Sequence, residues 1–234
     1  MSERQVVLDT ETTGLSASDG HRIIEIGCVE MENRRLTGRT LHHYVNPERD
    51  IDEGAMQVHG LTREMLADKP LFDQIADEFI EFVSGAEILI HNAAFDVGFL
   101  DAEFKRLRRD PLSKYCGEIT DTLAMARELH PGRRNSLDVL CDRYGISNAH
   151  RKLHGALLDS ELLADVYLAM TRGQDSLEIV STASAQAAQV GLSGEWPPKD
   201  LRIVRATEQE LKAHQAQIKT IEQDRGEPAL WSTQ

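Results

Sequence analysis

Two spacings of hydrophobic residues alternate along this chain. Short apolar runs, which are typical of strands buried on both faces of a sheet, occur at 6–8 and 88–90. A longer run at 23–31 is interrupted only by Glu25 and Glu30. A strand at 40–45 would pair with it as a hairpin. These four segments are the predicted strands of a buried sheet.

The other spacing, three or four residues between apolar positions, predicts helices. The segments that show it are 72–83, 120–129, 136–144, 155–170 and the stretch that follows 91–94. A short helix is also predicted to begin after Thr62, whose side chain would cap its first turn. The apolar patch at 56–61 is predicted to lie in a loop.

The composition changes near residue 173. Residues 181–194 are rich in Ala, Ser, Gln and Gly, which is typical of a flexible linker. Beyond them, 201–204 resembles a strand and 208–222 a helix, but this end is too small to hold a core of its own. We therefore predict a globular domain over 1–172, a linker over 173–199 and a docking segment over 200–234.

The first apolar run leads directly into two acids, Asp9 and Glu11. Alternate residues of a strand project to the same face, so these carboxylates would lie side by side and repel each other. A divalent cation with oxygen ligands would relieve the repulsion. Taken alone, the pair is equally compatible with a solvated strand end that binds nothing.

Two further acids occupy positions where a helix should present an apolar residue. Asp96 is followed at three and four positions by Phe99 and Leu100, on the same side of the predicted helix. Asp159 lies on the apolar stripe of its helix, three residues before Leu162. A buried carboxylate is costly without a partner, so a cation or a hydrogen-bonding cluster must lie near each acid.

A histidine accompanies the last of these acids. His154 precedes Asp159 by five residues, about 140° away on a helical wheel, so both face one site only if His154 lies before the helix. Gly155 makes such a break plausible. Four carboxylates and an imidazole that converge would form a two-metal hydrolytic site for in-line phosphoryl displacement. Histidine changes its charge near neutral pH and would accept the proton of the attacking water.

The overall composition restricts the function further. The 234 residues are 41% hydrophobic and 28% charged, with a net charge of −13, as expected for a globular protein with one good core. So acidic a protein does not hold nucleic acid by a broad basic surface, but it can grip a phosphate through bound cations. We therefore expect weak intrinsic binding to nucleic acid and delivery by a partner.

The cysteines and the ends of the apolar runs predict the compartment. Cys28, Cys116 and Cys141 have no metal-type spacing, and Cys28 and Cys141 lie within apolar patterns, as buried thiols do. No apolar run approaches the roughly 20 residues needed to cross a bilayer, and the first residues lead into a strand without a signal peptide. These features predict a cytoplasmic protein.

The segments that carry the candidate residues resemble the motifs of one enzyme family. Residues 7–14 (VLDTETTG), 91–99 (HNAAFDVGF) and 154–159 (HGALLD) are similar to the three exonuclease motifs of the DEDD superfamily, in its histidine branch (DEDDh). With 133–138 (RRNSLD) between the second and third, the chain resembles the epsilon proofreading subunits of bacterial DNA polymerase III. The resemblance covers nearly the whole chain, including 201–207 (LRIVRAT) in the tail.

The resemblance implies a fold and an activity. The fold would be an α/β ribonuclease H-like exonuclease fold, a mixed five-stranded sheet flanked by helices, plus a flexible linker and a small C-terminal docking segment. The reaction would be 3′→5′ hydrolysis of the terminal phosphodiester at a mispaired primer 3′ end, releasing nucleoside 5′-monophosphates. A mispaired end unpairs more cheaply and reaches the site more often, so no base reading is needed.

The same resemblance implies a role for each motif residue. Asp9, Glu11 and Asp159 would bind the Mg²⁺ or Mn²⁺ ion that activates water. Asp9 would also bind a second such ion on the leaving side, helped by Asp96 through water. His154 would be the general base.

Substrate contacts are implied for Asp9, Glu11 and His59, the last in a segment similar to the loop that contacts the terminal nucleotide. Five residues before His59, where the family often has a substrate-contacting glutamate, this chain has Gly54, with Glu53 beside it. Either Glu53 takes over that contact or the contact is absent.

Protein partners are implied by the C-terminal part. Residues 174–179 (QDSLEI) resemble a sliding-clamp-binding peptide with Gln174, Leu177 and Ile179 as its anchors; an ordinary helix exit is the alternative. The docking segment would bind the alpha subunit of the polymerase, and a small theta-like subunit would be a further partner. Such tethering raises the concentration of the enzyme at primer ends.

Three alternative functions are open at this point. A phosphatase that forms an aspartyl-phosphate needs a second Asp where this chain has Glu11, and a later Lys that 90–92 lacks. A non-enzymatic tether in the replication machinery would have no reason to keep costly buried acids. An RNA-trimming or general single-strand nuclease of the same family would not need a docking arm.

Overall fold

A computed structural model describes residues 4–148, 153–172 and 206–225. The chain divides into two compact units, 1–180 and 181–234. The first unit contains a five-stranded sheet with helices on both faces. Among the described residues, no helix combines the length and the apolar character that crossing a membrane requires.

The sheet is mixed. In chain order its strands are β1 (Arg4–Thr12), β2 (Ile23–Glu32), β3 (Arg35–Tyr44), β4 (Glu87–Ile90) and β5 (Ile119–Asp121). Their spatial order is β3-β2-β1-β4-β5. The first three strands are antiparallel neighbours, whereas β4 pairs parallel with β1, and β5 parallel with β4. The strand that ends in Asp9 and Glu11 is therefore the central one.

Helices flank this sheet. In chain order the helices of the described residues are α1 (Glu53–His59), α2 (Arg63–Leu66), α3 (Phe72–Val83), α4 (Ala93–Arg106), α5 (Thr122–Leu129), α6 (Leu137–Tyr144), α7 (Ala156–Met170) and, in the second unit, α8 (Glu208–Arg225). Alternation along β1 divides the core between two layers. Val6 and Leu8 belong to the cluster that contains the phenylalanines of α3 and α4, and Val7 to the cluster with Leu163 of α7.

The predicted mixed sheet flanked by helices is confirmed, and three local predictions are wrong. The loop prediction fails for residues 56–59, because α1 spans Glu53–His59 with Gly60, at a φ of 74°, as its C-cap; residues 60–61 lie outside helices and strands, as predicted. This two-turn helix has only one buried side chain, His59, so no apolar stripe marks it. Residues 120–121 belong to β5, a strand too short to show alternation, and Asp121 caps the helix that follows. β3 begins at Arg35 instead of residue 40, because its first half is an exposed edge.

The C-terminal predictions are tested only in part. The predicted helix at 208–222 is present and extends to Arg225. The predicted linker at 181–194, the strand at 201–204 and the clamp-binding residues Gln174, Leu177 and Ile179 lie outside the described residues.

Candidate active site

The end of β1 forms the floor of a cleft of about 270 Å³. Asp9 and Glu11 line it from the strand, Asp96 from the first turn of α4, and Asp159 from the first turn of α7. His154, two residues before the start of α7, lines it as well. The structure thus brings together the five side chains that the sequence singled out for chemistry.

Alternation along β1 explains why the site draws on both helical layers. Asp9 and Glu11 share the face of Val7, which is covered by α7. Thr10 points to the opposite layer, where its backbone N–H and its hydroxyl donate to Asp96 Oδ1 at 3.0 and 2.7 Å. Asp96 is buried, and burial raises its pKa, although the hydrogen bonds from Thr10 oppose that rise. These bonds fasten the first turn of α4 to the strand.

The most compact group in the cleft consists of Glu11, His154 and Asp159. Each offers a ligand atom within 4.8 Å of the others, and His154 Nδ1 lies 3.4 Å from Asp159 Oδ2. His154 precedes the helix because Gly155, at the N-cap, is extended. Its side chain is 43% exposed, whereas that of Asp159 is 4% exposed. The histidine therefore faces solvent at the rim, above a buried carboxylate.

The charges that line the cleft fit a cation. Five of the lining residues are acids, and no lysine or arginine is among the described residues that form its wall. The acids are Asp9, Glu11, Asp96, Asp138 and Asp159. Carboxylate oxygens are the ligands that Mg²⁺ and Mn²⁺ prefer. The donor set therefore suits one or more divalent ions of this kind.

His59 lies beside the cleft rather than in it. It is the last residue of α1 and is 5% exposed. Its Nδ1 accepts the N–H of Leu61 at 3.0 Å, so Nε2 carries the ring proton. Nε2 is buried and has no hydrogen-bond partner within the described chain. Burial also lowers the pKa of His59, which keeps the ring neutral.

A second, more apolar pocket adjoins the cleft. Its volume is about 420 Å³, and it shares Glu11 and Phe95 with the cleft. Leu15 and Val58, both exposed, form part of its wall. The backbone N–H of His154 donates to the carbonyl oxygen of Val58 at 3.1 Å, so α1 is tied to the segment that carries the histidine.

Residue 54, where the resemblance implies a substrate-contacting glutamate, is also part of this pocket. Gly54 lines it, and a Cβ there would meet no atom within 4 Å. Glu53, next to it, is exposed. The geometry therefore leaves room for a side chain at residue 54 that this sequence does not supply.

One wall of the cleft, at the start of α6, was not predicted from the sequence. Ser136, Leu137 and Asp138 line it from the start of α6. His91 Nε2 donates to the carbonyl oxygen of Asn135 at 2.9 Å and holds this wall in place. The similarity of 133–138 to the family was the signal available, but nothing in its spacing indicated which residues face the site.

Comparison with known proteins agrees with this architecture. The sequence profile of the exonuclease family (RNase T type) matches residues 6–167. The chain is 53% identical over 221 residues to the DNA polymerase III subunit epsilon of Pasteurella multocida, covering 90% of this chain and 86% of the relative. It is 49% identical over 236 residues to that of Escherichia coli, covering 97% of each.

Solved structures share the fold. An exonuclease X in complex with 5′-overhanging duplex DNA matches with a TM-score of 0.54 and 25% identity, over 72% of this chain and 92% of that one. The nuclease domain of 3′hExo, a DEDDh family member bound to rAMP, matches with a TM-score of 0.63 and 18% identity, over 73% and 92% of the two chains. With the matched profile, the near full-length relatives and this cleft, the chain belongs to the exonuclease family and, within it, to the epsilon subunits of DNA polymerase III.

Proposed function

We propose that this cleft carries out proofreading for a bacterial DNA polymerase III, by two-metal 3′→5′ hydrolysis of the terminal phosphodiester at a mispaired primer end. The observation that carries the proposal is the meeting of Asp9, Glu11, Asp96, His154 and Asp159 in one cleft. The relatives of this chain are named as epsilon subunits of that polymerase, and the matched family model describes an exonuclease. The enzyme is therefore a 3′→5′ exodeoxyribonuclease of the DEDDh type.

The acids would hold the ions. Glu11 and Asp159 offer ligand atoms within 4.8 Å of each other and would share one Mg²⁺ or Mn²⁺ with Asp9, which would also reach a second ion helped by Asp96. When bound, such ions neutralise the charge on the phosphate and stabilise the attacking and leaving oxygens. Exonucleases of this family use divalent ions; their identity and number here are part of the proposal.

His154 would act as the general base. Its imidazole stands at the exposed rim, where a water molecule would reach both the ring and a phosphate bound in the cleft. The ring takes one proton from that water while the water oxygen forms a bond to phosphorus. The bond from phosphorus to the 3′ oxygen of the preceding nucleotide breaks, and this oxygen is protonated by solvent. The products are a nucleoside 5′-monophosphate and a strand that is one residue shorter.

The adjoining apolar pocket would receive the terminal nucleoside. Val58 and Phe95 offer apolar surface to a base, and Glu11 lies at the junction with the cleft. His59 would contribute through its unsatisfied Nε2–H, which a polar group of the substrate can satisfy after a small movement. No base-specific group is required, because a mispaired end frays more readily and enters the pocket more often.

Partners would deliver the primer end. We assign 1–172 to the exonuclease domain, 173–199 to a clamp-binding peptide and linker, and 200–234 to a segment that docks on the polymerase alpha subunit. Gln174, Leu177 and Ile179 would anchor the beta sliding clamp, and a theta-like subunit would bind the catalytic domain. The epsilon relatives are named as subunits of this polymerase, which supports a place in the bacterial replisome and hence in the cytoplasm.

Hydrolysis of a 3′-labelled DNA strand tests the catalytic proposal. The full chain with Mn²⁺ should release labelled nucleoside monophosphate, and the double variant D9A/E11A should not. Full activity of that variant would support a non-enzymatic tether, and a trapped phosphoenzyme would support a phosphatase. Faster cleavage of an RNA strand than of DNA would favour an RNA-trimming role.

Binding assays with the full chain test the partner proposals. The triple variant Q174A/L177A/I179A should lose binding to the beta clamp, while S176A/E178A in the same segment should keep it. A chain that ends at residue 199 should lose binding to alpha but keep its nuclease activity. Equal clamp binding by both multiple variants would contradict the proposed anchors.

A further inference from the structure

The buried carboxylate of Glu25 lies beside the cleft, on the strand next to Glu11. Glu25 pairs with Glu11 across β1 and β2, and its side chain is 4% exposed. Two donors reach this carboxylate: His42 Nε2 from β3 at 2.8 Å, and the backbone N–H of Ala156, the first residue of α7. One side chain therefore connects two strands with the helix that carries Asp159.

The first turn of α7 is seated on β2 by two more contacts. A Cβ at Gly27 would lie 2.2 Å from the backbone carbon of Ala156, so only glycine permits this approach. The hydroxyl of Ser160 donates to the carbonyl oxygen of Gly27 at 2.9 Å, in a buried position. These contacts fix how close α7 comes to the strand, and the bond to Glu25 fixes the end from which Asp159 projects.

We propose that Glu25, held by His42, is a positioning residue that caps the first turn of α7 and thereby keeps Asp159 in register with Glu11 for cation binding. The inference rests on the proposed role of Glu11 and Asp159 as ligands. The first N–H groups of a helix have no partner within the helix, and a carboxylate there also interacts favourably with the helix dipole. The bond from His42 restrains the carboxylate to the orientation that receives Ala156.

The chain offers a matched control on the same strand. Glu30 of β2 is also buried, with 1% of its side chain exposed, but its partners are Arg4, Arg39 and Thr37. Glu30 pairs with Val6, at the end of the strand far from Glu11. Substitution of Glu30 removes a buried glutamate with strong hydrogen bonds, as substitution of Glu25 does, and leaves α7 unaffected.

Binding of Mn²⁺ to the full chain, followed by the electron paramagnetic resonance of free Mn²⁺, separates these roles. Partners of metal ligands typically contribute about 10- to 100-fold in metal affinity, so E25A should bind Mn²⁺ at least about tenfold more weakly than the wild type. E25Q keeps an oxygen acceptor for the N–H of Ala156 and should recover most of that loss. E30A should bind Mn²⁺ within about twofold of the wild type, although its melting temperature falls.

Each outcome decides one point. Wild-type Mn²⁺ affinity in E25A, or an equal loss in E30A, overturns the positioning role. If E25A does not fold, H42A decides, because His42 is 31% exposed on an edge strand and its removal leaves the core intact. Reduced Mn²⁺ affinity in H42A supports the proposal, and unchanged affinity overturns it. A wild-type chain that binds no Mn²⁺ contradicts the proposed catalytic function instead.

Discussion

The two ends of β2 each bury a glutamate, and the chain treats them differently. At the far end, Glu30 accepts from Arg4 Nε at 2.7 Å and from Arg39 Nη1 at 2.8 Å. At the cleft end, Glu25 has a histidine and a backbone N–H. Burial raises the pKa of Glu25, because the hydrogen bonds from His42 and Ala156 do not offset the cost of removing the carboxylate from water. Burial opposes ionisation of Glu30 too, but the bonds from Arg4 and Thr37 outweigh it and lower the pKa of that carboxyl.

The different partners of Glu30 and Glu25 indicate that the two ends of β2 serve stability and metal binding respectively. Arginines at the far end neutralise the buried acid and hold the C-terminal end of α3 to the sheet, since Arg4 also donates to the carbonyl oxygens of Phe82 and Ser84. An arginine at the cleft end would compete with metal ions for Glu11 and Asp159. The cleft therefore keeps repulsion between its acids. Substitutions there should reduce activity more than stability, and those at the far end the reverse.

The largest effect is expected from Asp159→Asn. Loss of a cation ligand removes several kcal/mol of transition-state stabilisation, which corresponds to about a thousandfold in rate. Without ions the variant should be at least as stable as the wild type, because one of the repelling charges is gone. Nucleotide release from a labelled strand and thermal unfolding in a chelator measure the two quantities. A variant that keeps most of its activity, or that unfolds at a much lower temperature than the wild type, would contradict the proposed difference between the two ends of β2.

His154→Ala should lower kcat by about 10²- to 10³-fold, within the range expected for loss of a general base and no more than for Asp159→Asn. Unlike Asp159→Asn, it should keep Mn²⁺ binding, because a hard cation prefers the carboxylates. Parallel measurements of kcat and Mn²⁺ affinity check this. Loss of both together would make His154 a ligand rather than the base, which its distance from Glu11 and Asp159 also permits.

Gly27→Ala should impair both stability and activity. The added methyl group would overlap the backbone of Ala156 and force α7 away from β2, at a cost of about 1–3 kcal/mol. Gly98→Ala in α4 is the control, since its Cβ meets no atom within 4 Å and alanine favours a helix by about 1 kcal/mol. Denaturant unfolding should therefore shift in opposite directions. A shift in the same direction would mean that α7 is not held as closely as its contacts indicate.

Glu30→Gln should lower the unfolding free energy by about 1–3 kcal/mol at pH 7, the usual contribution of hydrogen bonds to a charged group. The folded protein lowers the pKa of Glu30, so this contribution is complete above the ordinary glutamate pKa and is lost as the pH falls through the folded value. The stability difference between variant and wild type should thus shrink in acid. Denaturant unfolding at pH 7 and pH 3 measures it, and nuclease activity at pH 7 should be unchanged. A difference that grows in acid would contradict the ion pairing at this end.

The parts of the site that the sequence predicted depend on local rules. Strand alternation alone puts Asp9 and Glu11 on one face, and helical spacing puts Asp96 and Asp159 where apolar residues belong. The buried thiols were predictable in the same way, since Cys28 and Cys141 lie in apolar runs and both are fully buried.

What escaped prediction depends on contacts between distant segments. Glu25 and Glu30 look alike in the sequence, and the pairing of β2 with β1 and β3, together with the position of α7, gives them different partners. His42 acquires its role in the same way, because its hydrogen bond to Glu25 joins β3 to β2. The helix α1 and the strand β5 were missed because elements of one or two turns, or three residues, do not repeat long enough to show a period.

The backbone hydrogen bond from His154 to Val58 bears on when the proposed hydrolysis can occur. Because the backbone N–H of His154 donates to the carbonyl oxygen of Val58, the segment that carries the imidazole would move together with the wall of the pocket proposed for the terminal nucleoside. A terminal base held against Val58 would restrain this segment and, with it, the backbone that positions His154. Such a link would favour hydrolysis only when the terminal nucleotide of a strand is bound in the pocket.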